Sequence, residues 1–222
     1  MRRMISFTNE PAKPARPERS RVSEHYFSST PEGPERRRTI TARIWGEKLE
    51  LITANGVFAG DGLDLGTAVL MRESPAPHGN PRLLDLGCGY GPIAIALALA
   101  CPGAVVDAVD VNDRAVALCR DNARALGVAD RVRAHRVEDT DPDVRYGEIW
   151  SNPPIRIGKP ALHALLLSWL PRLEPDGIAR LVVGRNLGAD SLQRWLIDQG
   201  FPTERTASAK GFRVLGCKAR VG

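Results

Sequence analysis

"RLLDLGCGYGPIAIALALA", Arg82 to Ala100, decides the fold. A short apolar run carries one acid, Asp85, then a glycine-rich turn, then an apolar segment suited to a buried helix. Strand, glycine turn and helix in that order open a doubly wound α/β sheet. The alternation continues downstream. "AVVDAVD" (104–110) reads as a strand, and "NDRAVALCRDNARALG" (112–127) as an amphipathic helix with Asn112 as N-cap and Gly127 as C-cap. "DRVRAHRV" (130–137) and "GEIWSN" (147–152) read as the third and fourth strands. "PALHALLLSWLPRL" (160–173), "GIARLVVG" (177–184) and "DSLQRWLIDQG" (190–200) continue as helix, strand and helix. "PTERTASA" and "FRVLGCKAR" close the chain as two strands around Lys210-Gly211.

Upstream, "TITARIWGEKLELIT" (39–53) predicts a hairpin joined at Gly46-Glu47. "NGVFAGDGLDLGTAVLM" (55–71) predicts a glycine-rich loop and a short helix. The organisation expected is a Pro-rich tail over 1–38, a hairpin and cofactor-covering segment over 39–80, and the main domain over 81–222. Residues 1–39 hold nine Lys/Arg against five Asp/Glu, so +4 of the net +5 falls there, with five prolines. Such a segment buries little, and reads either as an electrostatic arm for a polyanion such as RNA or as a solubilising terminus.

No apolar run approaches a membrane span, and "MRRMISFTNE" lacks the apolar core of an export signal. Cys88, Cys101, Cys119 and Cys217 are scattered, and the four histidines are isolated, so neither a disulfide framework nor a metal site is indicated. A reducing cytoplasm fits these features.

The chemistry lies in three places. In "LLDLGCGYG" the glycines are spaced Gly87-x-Gly89-x-Gly91 around Cys88, with Asp85 before them. This departs from the dinucleotide fingerprint, and an acid at the strand end repels pyrophosphate but welcomes an ammonium group. S-adenosylmethionine fits that demand. Asp110 closes the next strand, with Val111 behind it, where a carboxylate can accept both ribose hydroxyls. Glu138 or Asp139, in the loop after the third strand, is placed to accept from an adenine amino group, and neither is preferred. Lastly, "SNPP" ends the fourth strand with an amide, Asn152, followed by Pro153 and Pro154. Two prolines fix the backbone there, which suggests that Asn152 is aimed.

The glycine turn, Asp110 and "SNPP" resemble class I S-adenosylmethionine-dependent methyltransferases, and "GVFAGDGLDLGTAVLM" and "KGFRVL" resemble the "methyltransferase small domain" group, which includes ribosomal RNA guanine-N2 methyltransferases. The resemblance implies a seven-stranded, mostly parallel sheet with an antiparallel last strand and an N-terminal hairpin extension. It implies that the Asn152 side-chain oxygen and the Pro153 carbonyl accept the two N–H bonds of a planar amino nitrogen. It implies that Thr67 contacts the methionine carboxylate of the cofactor, although a helix-start hydroxyl reads equally well. Phe58, Ile155 and Arg156 become candidates for the substrate pocket. The family's usual aromatic after the second proline is Ile155 here, a departure that bears on whether the target is a nucleobase. The expectation is therefore guanine N2 in ribosomal RNA, with a protein glutamine or small-molecule amine as the alternative and a non-catalytic cofactor-binding RNA module as the second. The chain is expected to act as a monomer or homodimer.

Overall fold

The computed structural model describes residues 34–58 and 62–220. The tail reading falls largely on residues outside this range.

Among the described residues nine strands form two sheets. β1 (Arg37–Ile44) and β2 (Glu47–Ala54) are an antiparallel hairpin. Its register pairs Ile44 with Glu47, so the two-residue turn is Trp45-Gly46, one residue earlier than the sequence suggests. Both turn residues have positive φ, 47° and 90°, the geometry of a type I′ turn. A tryptophan in that conformation is unfavourable. It is held by its indole, which donates to the Ser74 carbonyl at 3.2 Å and meets the Trp150 ring edge-on with centroids 5.8 Å apart.

The second sheet contains β3 (Arg82–Leu86), β4 (Val105–Asp110), β5 (Val132–Arg136), β6 (Tyr146–Ser151), β7 (Leu173–Gly184), β8 (Thr203–Ala209) and β9 (Phe212–Lys218). Their order is β5-β4-β3-β6-β7-β9-β8. β3 to β7 pair in parallel, and β9 runs antiparallel between β7 and β8. This is the seven-stranded sheet with a reversed last strand. β7 starts at Leu173, ahead of the expected Gly177, because Tyr146 pairs with Leu173 before a bulge in the β6–β7 register.

Helices cover both faces. α1 (Leu65–Glu73), α2 (Pro92–Ala100) and α3 (Asp113–Ala125) share one core with the hairpin, and α4 (Lys159–Trp169) and α5 (Ala189–Asp198) pack on the other. α3 is capped as its sequence predicts: the Asn112 side chain accepts from Arg114 N and Ala115 N, and Gly127 follows the last turn at φ 69°.

The hairpin is tied to α3 by polar contacts rather than by shared strands. The buried Asn122 side chain accepts from Ile52 N at 2.7 Å and donates to Ile52 O and Tyr90 O at 2.8 and 2.9 Å. Arg37 pairs with Asp121, and Asn112 Nδ2 donates to Gly56 O. Asn55 and Gly56, just after β2, are thereby drawn over the C-terminal rim of the main sheet.

Candidate active site

β3 leads into α2 on one face and β6 leads into α4 on the other. Adjacent parallel strands whose connections part in this way leave a crevice at their C-terminal ends. The Ser151 hydroxyl, donating to Leu86 O at 2.7 Å, holds the two strand ends together just below it.

On the β3–β4 side stands the glycine turn. Gly87, Gly89 and Gly91 all have positive φ. The three differ in what surrounds them. A Cβ on Gly91 would lie 2.5 Å from Cys119 Sγ and 3.3 Å from the Cys119 Cα, so this glycine is required by the close approach of α3. A Cβ on Gly87 would meet nothing within 4 Å, and one on Gly89 only Val57 at 4.0 Å, so those two border open space. The Cys88 side chain is buried and its thiol is raised by its contact with Cys119 and by burial, so its backbone is what faces the turn.

Asp110 anchors this turn: Oδ2 accepts from Gly89 N and Oδ1 from Asn112 N, both at 2.9 Å. The Val111 N–H also bonds this carboxylate, which with about four acceptor sites still has capacity left. Burial raises its carboxyl above the ordinary range. Val111, beside it, is exposed.

Asp85 is wholly buried. Its Oδ2 accepts from Ala94 N at 2.9 Å, capping α2 where the N-cap residue, Gly91, has no side chain to do so. Its Oδ1 is buried without a partner. Burial pushes this carboxyl up to about 8, and the nearby Asp110 adds to the shift.

Past β5, Glu138 and Asp139 lie exposed in a short turn, Val137–Asp139. Glu138 pairs with Arg136 at 2.5 Å, and Arg136 also holds Asp113. Among the described residues Asp139 makes no side-chain hydrogen bond or ion pair, which leaves it as the freer acceptor of the two.

On the β6 side the first proline is buried, and the second sits at φ −74°, ψ 73°. That is an inverse γ-turn, closed by Ile155 N donating to Pro153 O at 2.8 Å. Proline's fixed φ suits the centre of such a turn. The Asn152 Nδ2 donates to Asp64 Oδ2 at 2.7 Å and to Thr67 Oγ1 at 3.1 Å. Among the described residues nothing donates to its Oδ1. Asp64 Oδ2 also accepts from Thr67 N at 3.0 Å, as the N-cap of α1. A carboxylate oxygen has no hydrogen to give, so the amide nitrogen must face it and the amide oxygen must face away.

Asp64 and Gly66 carry this arrangement, and the sequence alone assigns a role to neither. A Cβ on Gly66 would fall 2.9 Å from Asp64 Oδ2, 3.0 Å from the Phe212 ring and 3.3 Å from Asn152 Nδ2. The available signal was the spacing Asp64-x-x-Thr67, which marks a helix start. Thr67 itself serves both Asn152 and the cap through its backbone.

The substrate candidates differ in setting. Phe58 is exposed, Ile155 is half-buried against the α4–α5 core, and Arg156 is exposed. Glu148 accepts from the Trp150 indole and pairs with Arg180, both at 2.9 Å, and so serves local structure. Among the described residues no group of three or more His, Cys, Asp or Glu is arranged to hold a metal, and no helix is long and apolar enough to cross a membrane.

Comparison with known proteins agrees with this geometry. YbxB of Bacillus subtilis strain 168, itself uncharacterized, is 29% identical over 200 residues, covering 89% of this chain and 99% of that one. Ribosomal RNA small subunit methyltransferase C of Klebsiella pneumoniae is 35% identical over 147 residues, 63% of this chain. The chain spans only 42% of that relative's length. Among solved structures, the Thermus thermophilus 16S rRNA N2 G1207 methyltransferase (RsmC), in complex with AdoMet and guanosine, superposes with a TM-score of 0.73 at 25% identity, over 86% of this chain and 52% of that one. The family model described as methyltransferase small domain matches residues 48–216. That match runs from the second strand of the hairpin to the last strand of the sheet, through every rim loop between them, and the chain belongs to the methyltransferase small domain family.

Proposed function

We propose that this chain is an S-adenosylmethionine-dependent N-methyltransferase that methylates the exocyclic N2 of a guanine in ribosomal RNA. The residues fit the cofactor. Gly87 and Gly89 border open space into which an adenosyl group could settle. Asp110 has acceptor sites to spare for ribose hydroxyls, and the unpartnered Asp85 Oδ1 is the kind of group an ammonium would satisfy. Asp139 is the freer acceptor for the adenine amino group. Bound S-adenosylmethionine would supply a methyl group on a sulfonium, from which a neutral thioether is the leaving group, and the methylated nitrogen would shed one of its protons to solvent.

The protein's own work is positioning. An exocyclic amine is a weak nucleophile because its lone pair is delocalised into the ring. Asn152 Oδ1 and the remaining lone pair of Pro153 O accept its two N–H bonds, localise the lone pair and turn it toward the methyl group. Correct placement of this kind accounts for about 7–11 kcal/mol of barrier in well-oriented reactions. The observation that carries this reading is the double hold on Asn152 Nδ2, which frees the opposite oxygen. The relatives named as small-subunit ribosomal RNA methyltransferases, and the guanosine bound in the Thermus structure, support guanine in ribosomal RNA as the target, and with it a cytoplasmic site of action.

The test is mass analysis of ribosomal RNA nucleosides from a strain lacking the gene. The expected result is the loss of one N2-methylguanosine, restored when purified protein and S-adenosylmethionine are added to the undermodified RNA. Unchanged RNA, with label from the cofactor appearing instead on a protein or a small amine, would overturn it.

A further inference from the structure

The strand order sorts the charges on the C-terminal rim. The β5, β4 and β3 ends carry Glu138, Asp139, Asp113 and Asp110 against two cations, Arg136, paired to Asp113 and Glu138, and Arg114, which donates to Asn55 O. The other half carries the opposite sign. Arg156 follows the β6 end in the turn Ile155–Ile157. Arg185 follows the β7 end in the turn Arg185–Leu187. Lys210 lies in the β8–β9 turn, and Arg185 N donates to Gly211 O at 2.8 Å, which stitches these two turns together. All three cations are exposed. Among the described residues none of their side chains has a hydrogen-bond or ion-pair partner. The rim loops of this half, 152–160, 184–190 and 209–212, contain a single acid, Asp190, and Arg213 neutralises it. Leu187 stands exposed among them.

Asn152 lies on the dividing line. A polyanion laid over the β5–β3 half meets carboxylates, whereas over the β7–β9 half it meets unpaired cations and an apolar side chain. We infer that the sugar–phosphate backbone of the RNA substrate lies across the β7–β9 half of the rim, with its phosphates on Arg156, Arg185 and Lys210, and that the acidic half repels it. This rests on the RNA reading of the site. It assigns a path that delivers the target base to Asn152 from the side opposite the cofactor. Phosphate contacts fix register rather than sequence, so these residues position the strand.

The test measures binding of protein-free 16S ribosomal RNA across a salt series. It compares the wild-type chain, Arg185→Glu/Lys210→Glu, Arg156→Glu, and Arg194→Glu as a control on the exposed part of α5. The rim variants should bind about tenfold or more weakly, and the slope of log affinity against log salt should fall by about 0.7 per lost contact on a single strand. Their S-adenosylmethionine affinity and melting temperature should stay at wild-type values, and Arg194→Glu should bind RNA like wild type. Wild-type affinity in the rim variants would overturn the path while leaving the RNA reading intact. Absence of salt-dependent RNA binding by the wild type would overturn both.

Discussion

One oxygen of Asp64 holds two donors: Asn152 Nδ2 at 2.7 Å and Thr67 N at 3.0 Å. The same atom thus starts helix α1 and decides which way the Asn152 amide faces. Replacing Asp64 by Ala removes both contacts. The fold should lose about 1 kcal/mol from the missing cap. Methyl transfer should lose far more, about 100-fold, because the amide is free to turn over. Thr67→Ala keeps the cap, which uses the Thr67 backbone, and should cost less than Asp64→Ala. Chemical denaturation and single-turnover rates on the same samples check both parts.

Asp85 sets a pH dependence. Its folded-state carboxyl stands at about 8, above the ordinary 3.8, because it is buried. The folded state therefore holds a proton that the unfolded state has released. Its contribution to stability is complete below the ordinary value and is lost as pH rises through about 8. Asp85→Asn, a mimic of the protonated form, should raise the unfolding midpoint relative to wild type by an amount that is smallest below about pH 4, grows steadily with pH and levels off above about pH 8. Thermal melts of both proteins across this range measure the difference.

The same carboxyl links cofactor binding to protons. An ammonium group arriving beside Asp85 favours its charged form. S-adenosylmethionine affinity should therefore strengthen as pH rises toward about 8, with release of a proton on binding below that value. Calorimetry in buffers of different ionisation enthalpy reads that proton directly. Asp85→Asn should bind the cofactor more weakly and release no proton.

Gly91 is held by sterics. Alanine there would place Cβ 2.5 Å from Cys119 Sγ and 3.3 Å from its backbone, at a φ of 89°. Gly91→Ala should destabilise the fold by about 2–4 kcal/mol, part from overpacking and part from the left-handed backbone. Adding Cys119→Ala should recover the thiol's share and leave the backbone's share. Denaturant midpoints of the single and double variants separate the two.

Asn122 joins the hairpin to the rim through three hydrogen bonds of 2.7–2.9 Å. Asn122→Ala leaves the buried Tyr90 carbonyl and the partly buried Ile52 backbone groups without these partners and should cost about 3 kcal/mol. Hydrogen exchange should show the loss as faster exchange in β2, with β3 and β4 still protected.

What the sequence discloses about this protein depends on distance along the chain. The glycine turn, Asp110, the Asn112 cap and the double proline are local patterns with local causes, and the structure has each where its spacing implies. Asp64 escaped because its partner, Asn152, is 88 residues away, and an aspartate before a helix has a sufficient local explanation. The first hairpin turn lies one residue ahead of Gly46-Glu47 because Trp45 adopts a positive φ that its contacts with Ser74 and Trp150 make tolerable. The sign change along the rim is invisible in the sequence, since Arg156, Arg185 and Lys210 come together only once β7 and β9 are neighbours.

The account stands on Asn152 presenting its carbonyl oxygen to a substrate nitrogen. The most direct measurement is single-turnover transfer of labelled methyl from S-adenosylmethionine to undermodified ribosomal RNA by wild type and Asn152→Ala, with cofactor affinity measured on the same proteins. The account predicts a rate reduced by about 100-fold or more and an affinity changed by no more than a few fold. Transfer by Asn152→Ala at the wild-type rate would contradict it.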